Sequence, residues 1–170
     1  MNTRNSIVRW GIIGTAEIAR KNWQAIRLSG NGVVAAVASR EVARARSFID
    51  DCQARVPFPA PPRAYGSYRE LLEDPGIDAV YLPLPTGLRK DWVIEAAEAG
   101  KHVVCEKPCA VSLADLQEMT AACERHRVQF MDGVMFAHSA RPPEIRKLLG
   151  ILRDGSLAES SPSSDLPAAP

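Results

Sequence analysis

One short stretch, residues 9–20, constrains the fold of this chain more than any other. The apolar run from Ile7 to Ile13 predicts a strand that is buried on both faces, and helical spacing follows it as far as Leu28. Small residues at a strand-to-helix turn let a ligand approach the backbone, and the first N–H groups of the helix suit a phosphate. The predicted turn between the two elements consists of Gly14, Thr15 and Ala16.

The small residues of this turn are spaced like a dinucleotide-binding fingerprint. That fingerprint requires a glycine for the tight turn, a small residue beside the pyrophosphate and another for helix packing. Gly14, Ala16 and Ala19 stand at these places, and the helix is predicted to begin at about Ala16, where the fingerprint prefers glycine. An ordinary strand–helix turn with small packing residues is the alternative. The residues predicted to hold a pyrophosphate are Gly14, Thr15, Ala16, Glu17 and Ile18.

Apolar runs of strand length alternate with helical patterns through the rest of the chain. This alternation predicts a doubly wound parallel α/β sheet of the Rossmann type, which we assign to residues 1–150. Four prolines between Val56 and Arg63 exclude a helix or a central strand there and predict a surface excursion. The strands are predicted at residues 7–13, 33–38, 78–82, 102–105 and 128–131. Helical spacing after Ser112 predicts a buried face made of Leu113, Leu116, Met119 and Cys123.

Polar or open loops follow four of the predicted strands. The carboxyl ends of parallel strands share one edge of the sheet, and ligands bind there where the strand order reverses. The four loops should therefore meet in one site. Its candidate residues are the turn at 14–18 together with Ser39, Arg40, Leu84, Pro85, Thr86, Glu106 and Lys107.

The end of the second predicted strand distinguishes between two nicotinamide cofactors. NAD sites usually place a carboxylate there, which accepts a hydrogen bond from the ribose 2′-hydroxyl. This chain has Ser39 and Arg40 instead, and its first carboxylate is Glu41. A hydroxyl and a guanidinium suit a 2′-phosphate, which a carboxylate would repel. The sequence therefore favours NADP(H), with NAD as the second choice, unless Arg40 is only a solvated residue at the start of a helix.

Lys107 is the candidate catalytic residue. It follows a predicted strand at the ligand edge and precedes Pro108, which restricts the backbone. Its ammonium group could donate to a carbonyl or hydroxyl during hydride transfer, or act as an acid or base if its surroundings lower its pKa. Glu106 could orient Lys107 or contact the nicotinamide ribose. A surface Lys–Glu ion pair without function is the alternative.

Composition argues against several other classes of function. The chain has 170 residues, 46% of them hydrophobic, and a formal net charge of +1, so it has no charge excess for nucleic acid or a membrane surface. No apolar run is long enough to span a membrane, and a strand that begins near Ile7 leaves no room for a signal peptide. The cysteines, at positions 52, 105, 109 and 123, lack the spacing of a metal site. We therefore expect reduced thiols, no bound metal and a cytoplasmic location.

Several motifs, in the order in which they occur, resemble the Gfo/Idh/MocA oxidoreductases. They are Gly11-Ile12-Ile13-Gly14, Ala38-Ser39-Arg40, the run from Tyr81 to Thr86, Glu106-Lys107-Pro108 and the run from Met131 to His138. The likeness extends from about Arg9 to Glu159. It implies NAD(P)-dependent hydride transfer on a small-molecule substrate, usually a sugar, cyclic polyol or diol. It also implies that Lys107 lies beside both the substrate and the nicotinamide.

The chain departs from the family pattern in two ways. Thr86 and Arg89 stand where the family often has an asparagine and a histidine. Family members also continue into a second α/β domain that forms the substrate pocket and usually the dimer interface. We expect this domain and interface to be missing here. Residues 151–170 are expected to be a truncated junction followed by a disordered tail rich in Ser, Pro and Ala.

These expectations combine into one functional hypothesis and its rivals. The chain should be the NADP(H)-binding half of an oxidoreductase and should bind cofactor with little turnover by itself, because hydride transfer needs an oriented substrate. Alternatively, it is a non-catalytic, truncated product that acts as a nucleotide-binding or interaction module. Another Rossmann-type nucleotide binder, such as a methyltransferase, would leave Glu106-Lys107-Pro108 unexplained.

Overall fold

A computed structural model of the protein describes residues 7–134 and 139–148. The elements, in chain order, are β1 (Val8–Ile13), α1 (Ile18–Leu28), β2 (Gly32–Ala38), α2 (Val42–Arg55), β3 (Arg63–Tyr65), α3 (Tyr68–Glu73), β4 (Ala79–Leu82), α4 (Thr86–Glu98), β5 (His102–Cys105), α5 (Leu113–Arg125), β6 (Phe130–Asp132) and α6 (Arg141–Leu148). Residues 7–133 belong to one compact unit, and α6 belongs to a second unit that begins at Val134. The predicted tail at 151–170 and residues 135–138 of the family-like run lie outside the described residues.

The strands of the first unit form one six-stranded parallel sheet in the order β3-β2-β1-β4-β5-β6. β1 lies at its centre, where Ile12 pairs with Val37 of β2 on one side and with Tyr81 of β4 on the other. The chain therefore builds the sheet outward from β1 in one direction and, after β3, in the opposite direction. This order confirms the predicted doubly wound α/β fold, and the strand order reverses between β1 and β4.

Helices cover side chains on both faces of the sheet. On one face, Trp23 of α1 packs against Phe48 of α2 and against Phe58, with ring centroids 6.2 and 5.3 Å apart. The other face is packed by α3, α4 and α5, through side chains such as Leu71 and Met119 that have no exposed surface. Neighbouring residues of β1 enter the two clusters in alternation, as a parallel strand buried on both faces requires.

The proline-rich segment differs from its predicted form in two respects. Residues Arg63–Tyr65 form β3, a strand that the sequence does not predict, which pairs with the end of β2 at the edge of the sheet. A strand of three residues is too short to show a hydrophobic periodicity in the sequence. Prolines also do not exclude an edge strand that follows them in the chain. Phe58, inside the predicted surface excursion, is only 5% exposed because it packs on Trp23.

The predicted buried face of α5 is wrong at Leu113. This residue is 70% exposed, whereas Met119 and Cys123 are 0% and 2% exposed and Leu116 is partly exposed. Helical spacing correctly places these residues on one side of a helix, but it does not tell how far the sheet extends beneath that helix. Leu113 is the first residue of α5, after the Ser112 cap, and it lies beyond the packed part.

We predict that Met119→Ala lowers the free energy of unfolding by about 2–5 kcal/mol, because it leaves a cavity in the packed core. Leu113→Ala on the same helix should change that free energy by less than about 0.5 kcal/mol, because most of the leucine is already in water. Urea denaturation of the two variants measures the difference. Equal losses would show that Leu113 contributes to the core as fully as Met119.

The four cysteines are free thiols that differ in accessibility. Cys52, Cys105 and Cys123 are buried, and Cys109 is partly exposed. Burial raises the pKa of Cys105 to about 12. Burial likewise raises the pKa of Cys52 and of Cys123 above the ordinary value.

At pH 8 the Cys105 thiol should stay protonated and unreactive, because this pH lies far below its pKa of about 12. Cys109 should therefore be the first cysteine that iodoacetamide alkylates in the folded protein. Peptide mass spectrometry after timed labelling identifies the modified residue. Cys109→Ser should remove the fast phase, and rapid alkylation of Cys105 in the native state would contradict the burial described here.

No helix in the described part of the chain is both long enough and apolar enough to cross a membrane. Within residues 7–134 and 139–148, no group of three or more His, Cys, Asp or Glu side chains is arranged to hold a metal ion.

Candidate nucleotide-binding site

The turn between β1 and α1 has a backbone conformation that only glycine adopts readily. Gly14 has a φ of +105°, and its N–H donates to the carbonyl oxygen of Ala38 at 2.8 Å. A Cβ atom on Gly14 would lie 3.0 Å from Cδ2 of Leu84. The turn thus requires glycine both for its positive φ and for the close approach of the loop between β4 and α4. Thr15 and Ala16, which follow, are partly exposed.

The helix after this turn begins at Ile18, later in the chain than the sequence predicts. Ala19 has no exposed surface, as the packing position of the fingerprint requires. Glu17 precedes the helix, and its carboxylate accepts a hydrogen bond from Nε of Arg20 at 2.9 Å. Arg20 also donates to Asp51 at 3.0 Å, so its guanidinium joins the start of α1 to α2.

The end of β2 contributes one buried and one exposed candidate. Ser39 is 5% exposed, and its N–H donates to the carbonyl oxygen of Tyr65 at 3.1 Å. Arg40 is exposed and lines an open cleft of about 480 Å³, which we call the Arg40 cleft. Tyr68 and Trp92 meet edge to face in its wall, with ring centroids 4.9 Å apart. The cleft lies over the carboxyl ends of β2, β3 and β4, and its lining includes Arg40, Ser67, Tyr68, Leu84, Pro85 and Trp92.

The loop between β4 and α4 connects the turn with this cleft. Leu84 is 5% exposed, and its side chain closes on Gly14 while also lining the Arg40 cleft. Pro85 is exposed in the same cleft, and Thr86 is the first residue of α4. The loop between β4 and α4 therefore brings together the candidate residues that follow β1, β2 and β4.

The loop after β5 turns Glu106 inward and leaves Lys107 exposed. The buried Tyr81 donates its hydroxyl to Oε1 of Glu106 at 2.7 Å, and Oε2 accepts from the backbone N–H of Lys107 at 3.2 Å. Burial, together with the Glu106 carboxylate, raises the pKa of Tyr81, so its hydroxyl stays protonated and remains a donor. The Lys107 ammonium forms no ion pair with any residue that the structure describes.

Arg89 is absent from the predicted site, although it joins two of its loops. The residue is 7% exposed. Its Nε donates to the carbonyl oxygen of Leu84 at 2.6 Å, and its Nη1 donates to that of Glu106 at 2.7 Å and to that of Pro108. Helical spacing could have identified Arg89 from the sequence, because this residue shares the buried face of α4 with Val93, one turn further on. A cation on a buried face needs hydrogen-bonding partners, and the loop carbonyls provide them.

The candidate residues follow four neighbouring strands, in the spatial order β2, β1, β4 and β5. Neighbouring strands are about 4.8 Å apart, so the ends of β2 and β5, next to Arg40 and Lys107, lie roughly 14 Å apart along the edge. Gly14 and Leu84 lie between them, where the strand order reverses. This arrangement suits an elongated ligand with phosphates near its middle. The fold and the site together define a dinucleotide-binding Rossmann domain.

Comparison with known proteins identifies the family. Residues 8–134 match the family GFO_IDH_MocA, an oxidoreductase family with an NAD-binding Rossmann fold. The chain belongs to this family, and the resemblance carried by its motifs is confirmed.

Two curated relatives and one solved structure show how far the similarity extends. D-xylose 1-dehydrogenase (NADP(+)) 2 of Haloferax volcanii is 41% identical over 127 residues, which are 75% of this chain and 37% of that protein. Trans-1,2-dihydrobenzene-1,2-diol dehydrogenase of Danio rerio is 38% identical over 146 residues, 84% of this chain and 41% of that protein. The 3-ketoreductase KijD10 of Actinomadura kijaniata, in complex with NADP, superposes with a TM-score of 0.75 at 31% identity, covering 85% of this chain and 44% of KijD10. The chain thus spans less than half the length of these relatives.

Gly14→Ala should lower the free energy of unfolding by about 1–3 kcal/mol, because it places a side chain at positive φ and against Leu84. Gly87→Ala is the matched control, since Gly87 lies in α4 with nothing within 4 Å of an added Cβ. This control should keep the wild-type stability or gain up to about 1 kcal/mol from the helix preference of alanine. Urea denaturation measures both effects, and a Gly14→Ala protein as stable as the wild type would show that the turn accepts a side chain.

Proposed function

We propose that this chain is the NADP(H)-binding domain of an oxidoreductase that transfers hydride to or from a sugar, cyclic polyol or diol. The observation that carries the proposal is the positive-φ turn at Gly14, closely approached by Leu84, beside the Arg40 cleft. A tight turn that begins with a glycine and contains only small residues therefore coincides with the reversal of strand order, where dinucleotides bind. The names of a xylose dehydrogenase, a diol dehydrogenase and a 3-ketoreductase among the relatives support the substrate class.

Arg40 and Ser39 are proposed to bind the 2′-phosphate of the cofactor. The guanidinium of Arg40 is exposed at the cleft and can donate two parallel hydrogen bonds to phosphate oxygens. Because Ser39 is 5% exposed, Arg40 should make the larger contribution. Tyr68 and Trp92 give the cleft an aromatic wall against which a purine base can pack. The NADP in the names of two relatives supports NADP(H) over NAD(H).

The other proposed contacts continue along the edge of the sheet. The turn at Gly14 lets the pyrophosphate approach the backbone N–H groups of residues 15–18, which bind it, aided by the partial positive charge at the start of α1. Leu84, Pro85 and Thr86 contact the cofactor from the loop between β4 and α4. Glu106 and Lys107 face the nicotinamide end, because they lie beyond β4 on the side opposite to Arg40.

Lys107 is the proposed proton donor. When bound, NADPH supplies the hydride that reduces a substrate carbonyl. The Lys107 ammonium donates a proton to the carbonyl oxygen, and the neutral amine accepts it in the reverse direction. Glu106 fixes the backbone of Lys107 through Oε2 instead of pairing with its ammonium. The described residues by themselves should bind cofactor with little turnover, because hydride transfer requires a substrate held in place.

NADPH should stabilise the protein against thermal unfolding more than NADH does at equal concentration. At 100 times its Kd, a ligand adds about 2.7 kcal/mol to the free energy of unfolding. Arg40→Gln should weaken NADPH binding about tenfold or more, because a charge-assisted hydrogen bond to the 2′-phosphate is lost. The same variant should keep its NADH affinity, since NADH has no 2′-phosphate. Differential scanning fluorimetry over a range of cofactor concentrations measures both affinities.

Arg46→Gln is the matched control for this experiment, because Arg46 is an exposed arginine of α2 outside the lining of the Arg40 cleft. It should bind both cofactors like the wild type. A larger stabilisation by NADH than by NADPH would overturn the choice of NADP(H). No stabilisation by either cofactor would instead favour the rival hypothesis of an interaction module that binds no nucleotide.

A further inference from the structure

We propose that Arg89 is a positioning residue. It fixes the Lys107 loop, the segment after β5 that contains Glu106, Lys107 and Pro108, against the loop between β4 and α4. In this way it shapes the nicotinamide end of the site. The inference rests on the proposed function, because it assigns the Lys107 loop to the nicotinamide half of a bound cofactor. It extends that function to a buried residue whose guanidinium donates hydrogen bonds to main-chain carbonyls of the two loops.

The hydrogen bonds of Arg89 connect the two loops through their backbones. One nitrogen, Nε, bonds the carbonyl oxygen of Leu84, whose side chain lies against the Gly14 turn. Another, Nη1, bonds the carbonyl oxygens of Glu106 and Pro108, the residues on either side of Lys107. A guanidinium has five N–H donors in a rigid plane, so one side chain can hold carbonyls from two loops at once.

Hydrogen bonds of the Glu106 side chain also hold the Lys107 loop. Tyr81 donates its hydroxyl to the Glu106 carboxylate, and that carboxylate also accepts from the Lys107 N–H. Main-chain carbonyls on both sides of Lys107 are thus bonded to Arg89, while the Glu106 side chain is bonded to Tyr81. Lys107 is thus exposed on a loop whose backbone is held by hydrogen bonds on both sides of it, an arrangement that suits proton transfer in a fixed geometry.

The neighbouring residue Lys90 provides a matched control for Arg89. Lys90 is also a cation on α4, but its ammonium bonds Asp115 at 3.0 Å and Glu118 at 2.7 Å, both on α5. These two ion pairs join α4 to α5, and neither of them involves the loops that Arg89 connects. Removal of Lys90 tests the loss of a cation from α4, and removal of Arg89 additionally tests the link between the loops.

The test compares Arg89→Met, Arg89→Lys and Lys90→Met in the full 170-residue chain by isothermal titration calorimetry. The ligands are NADPH and adenosine 2′,5′-bisphosphate, which lacks the nicotinamide half. Arg89→Met should weaken NADPH binding about tenfold or more and bisphosphate binding by less than about threefold. Arg89→Lys should fall between Arg89→Met and the wild type, because an ammonium can bond two carbonyls, as Lys101 does with those of Asp74 and Ile77. Lys90→Met should bind both ligands like the wild type.

The wild-type protein supplies a readout that does not depend on the variants folding. In a ¹⁵N-labelled sample, the Nη1–H resonance of Arg89, which bonds the carbonyl oxygens of Glu106 and Pro108, should shift on addition of NADPH and stay in place on addition of the bisphosphate. Equal losses of affinity for both ligands in Arg89→Met, or an unmoved resonance with NADPH, would overturn the role proposed for Arg89. A wild-type protein that binds neither ligand would instead refute the proposed function itself.

Discussion

The pairing of β1 with β2 on one side and with β4 on the other is the constraint on which the rest of the structure depends. Parallel strands point in one direction, so all their carboxyl ends lie at the same edge of the sheet. Because the chain first leaves β1 toward β2 and later returns to its other side, the helices after β1 and β4 pack on opposite faces. The gap between the starts of these helices is where Gly14 and Leu84 meet.

Buried polar side chains hold the loops in place at both the amino and the carboxyl ends of the parallel strands. At the amino edge, Lys101 is 7% exposed, and its ammonium donates to the carbonyl oxygens of Asp74 and Ile77 at 2.8 and 2.9 Å. Burial lowers the pKa of Lys101, so these two bonds compensate part of the loss of hydration. At the carboxyl edge, Arg89 and Tyr81 hold the Lys107 loop in the same manner. Groups that would be unfavourable if unpaired therefore connect segments distant in sequence.

The family match and the geometry of the edge restrict the function in different ways. Family membership defines an oxidoreductase domain with an NAD-binding Rossmann fold. The geometry adds the order of the candidate residues along the sheet, with the Arg40 cleft over β2, β3 and β4, the glycine turn at β1 and the exposed Lys107 after β5. The proposed preference for NADP(H) depends on Arg40, and the proposed chemistry depends on Lys107, so the two can be tested separately.

The features of this fold that depend on local geometry alone could be predicted from the sequence. A glycine at a strand-to-helix turn, apolar runs of strand length and the alternation of elements all act over a few residues, and they correctly predicted the doubly wound sheet. Prediction failed where distant parts of the chain decide. β3 becomes a strand because β2 offers an edge, and Phe58 is buried because Trp23 lies opposite. Leu113 is exposed although it shares a helix side with Met119.

By itself, the sequence determined the residue types available at the site and the order in which strands carry them to the edge. It also determined that Gly14 can adopt positive φ without the strain that a side chain would introduce. Only the tertiary structure decided that Glu106 bonds Tyr81 instead of the Lys107 ammonium, and that Arg89 joins two loops. The reason is that these hydrogen bonds depend on the register of β4 with β5 and on the burial of α4, and neither exists until the chain has folded.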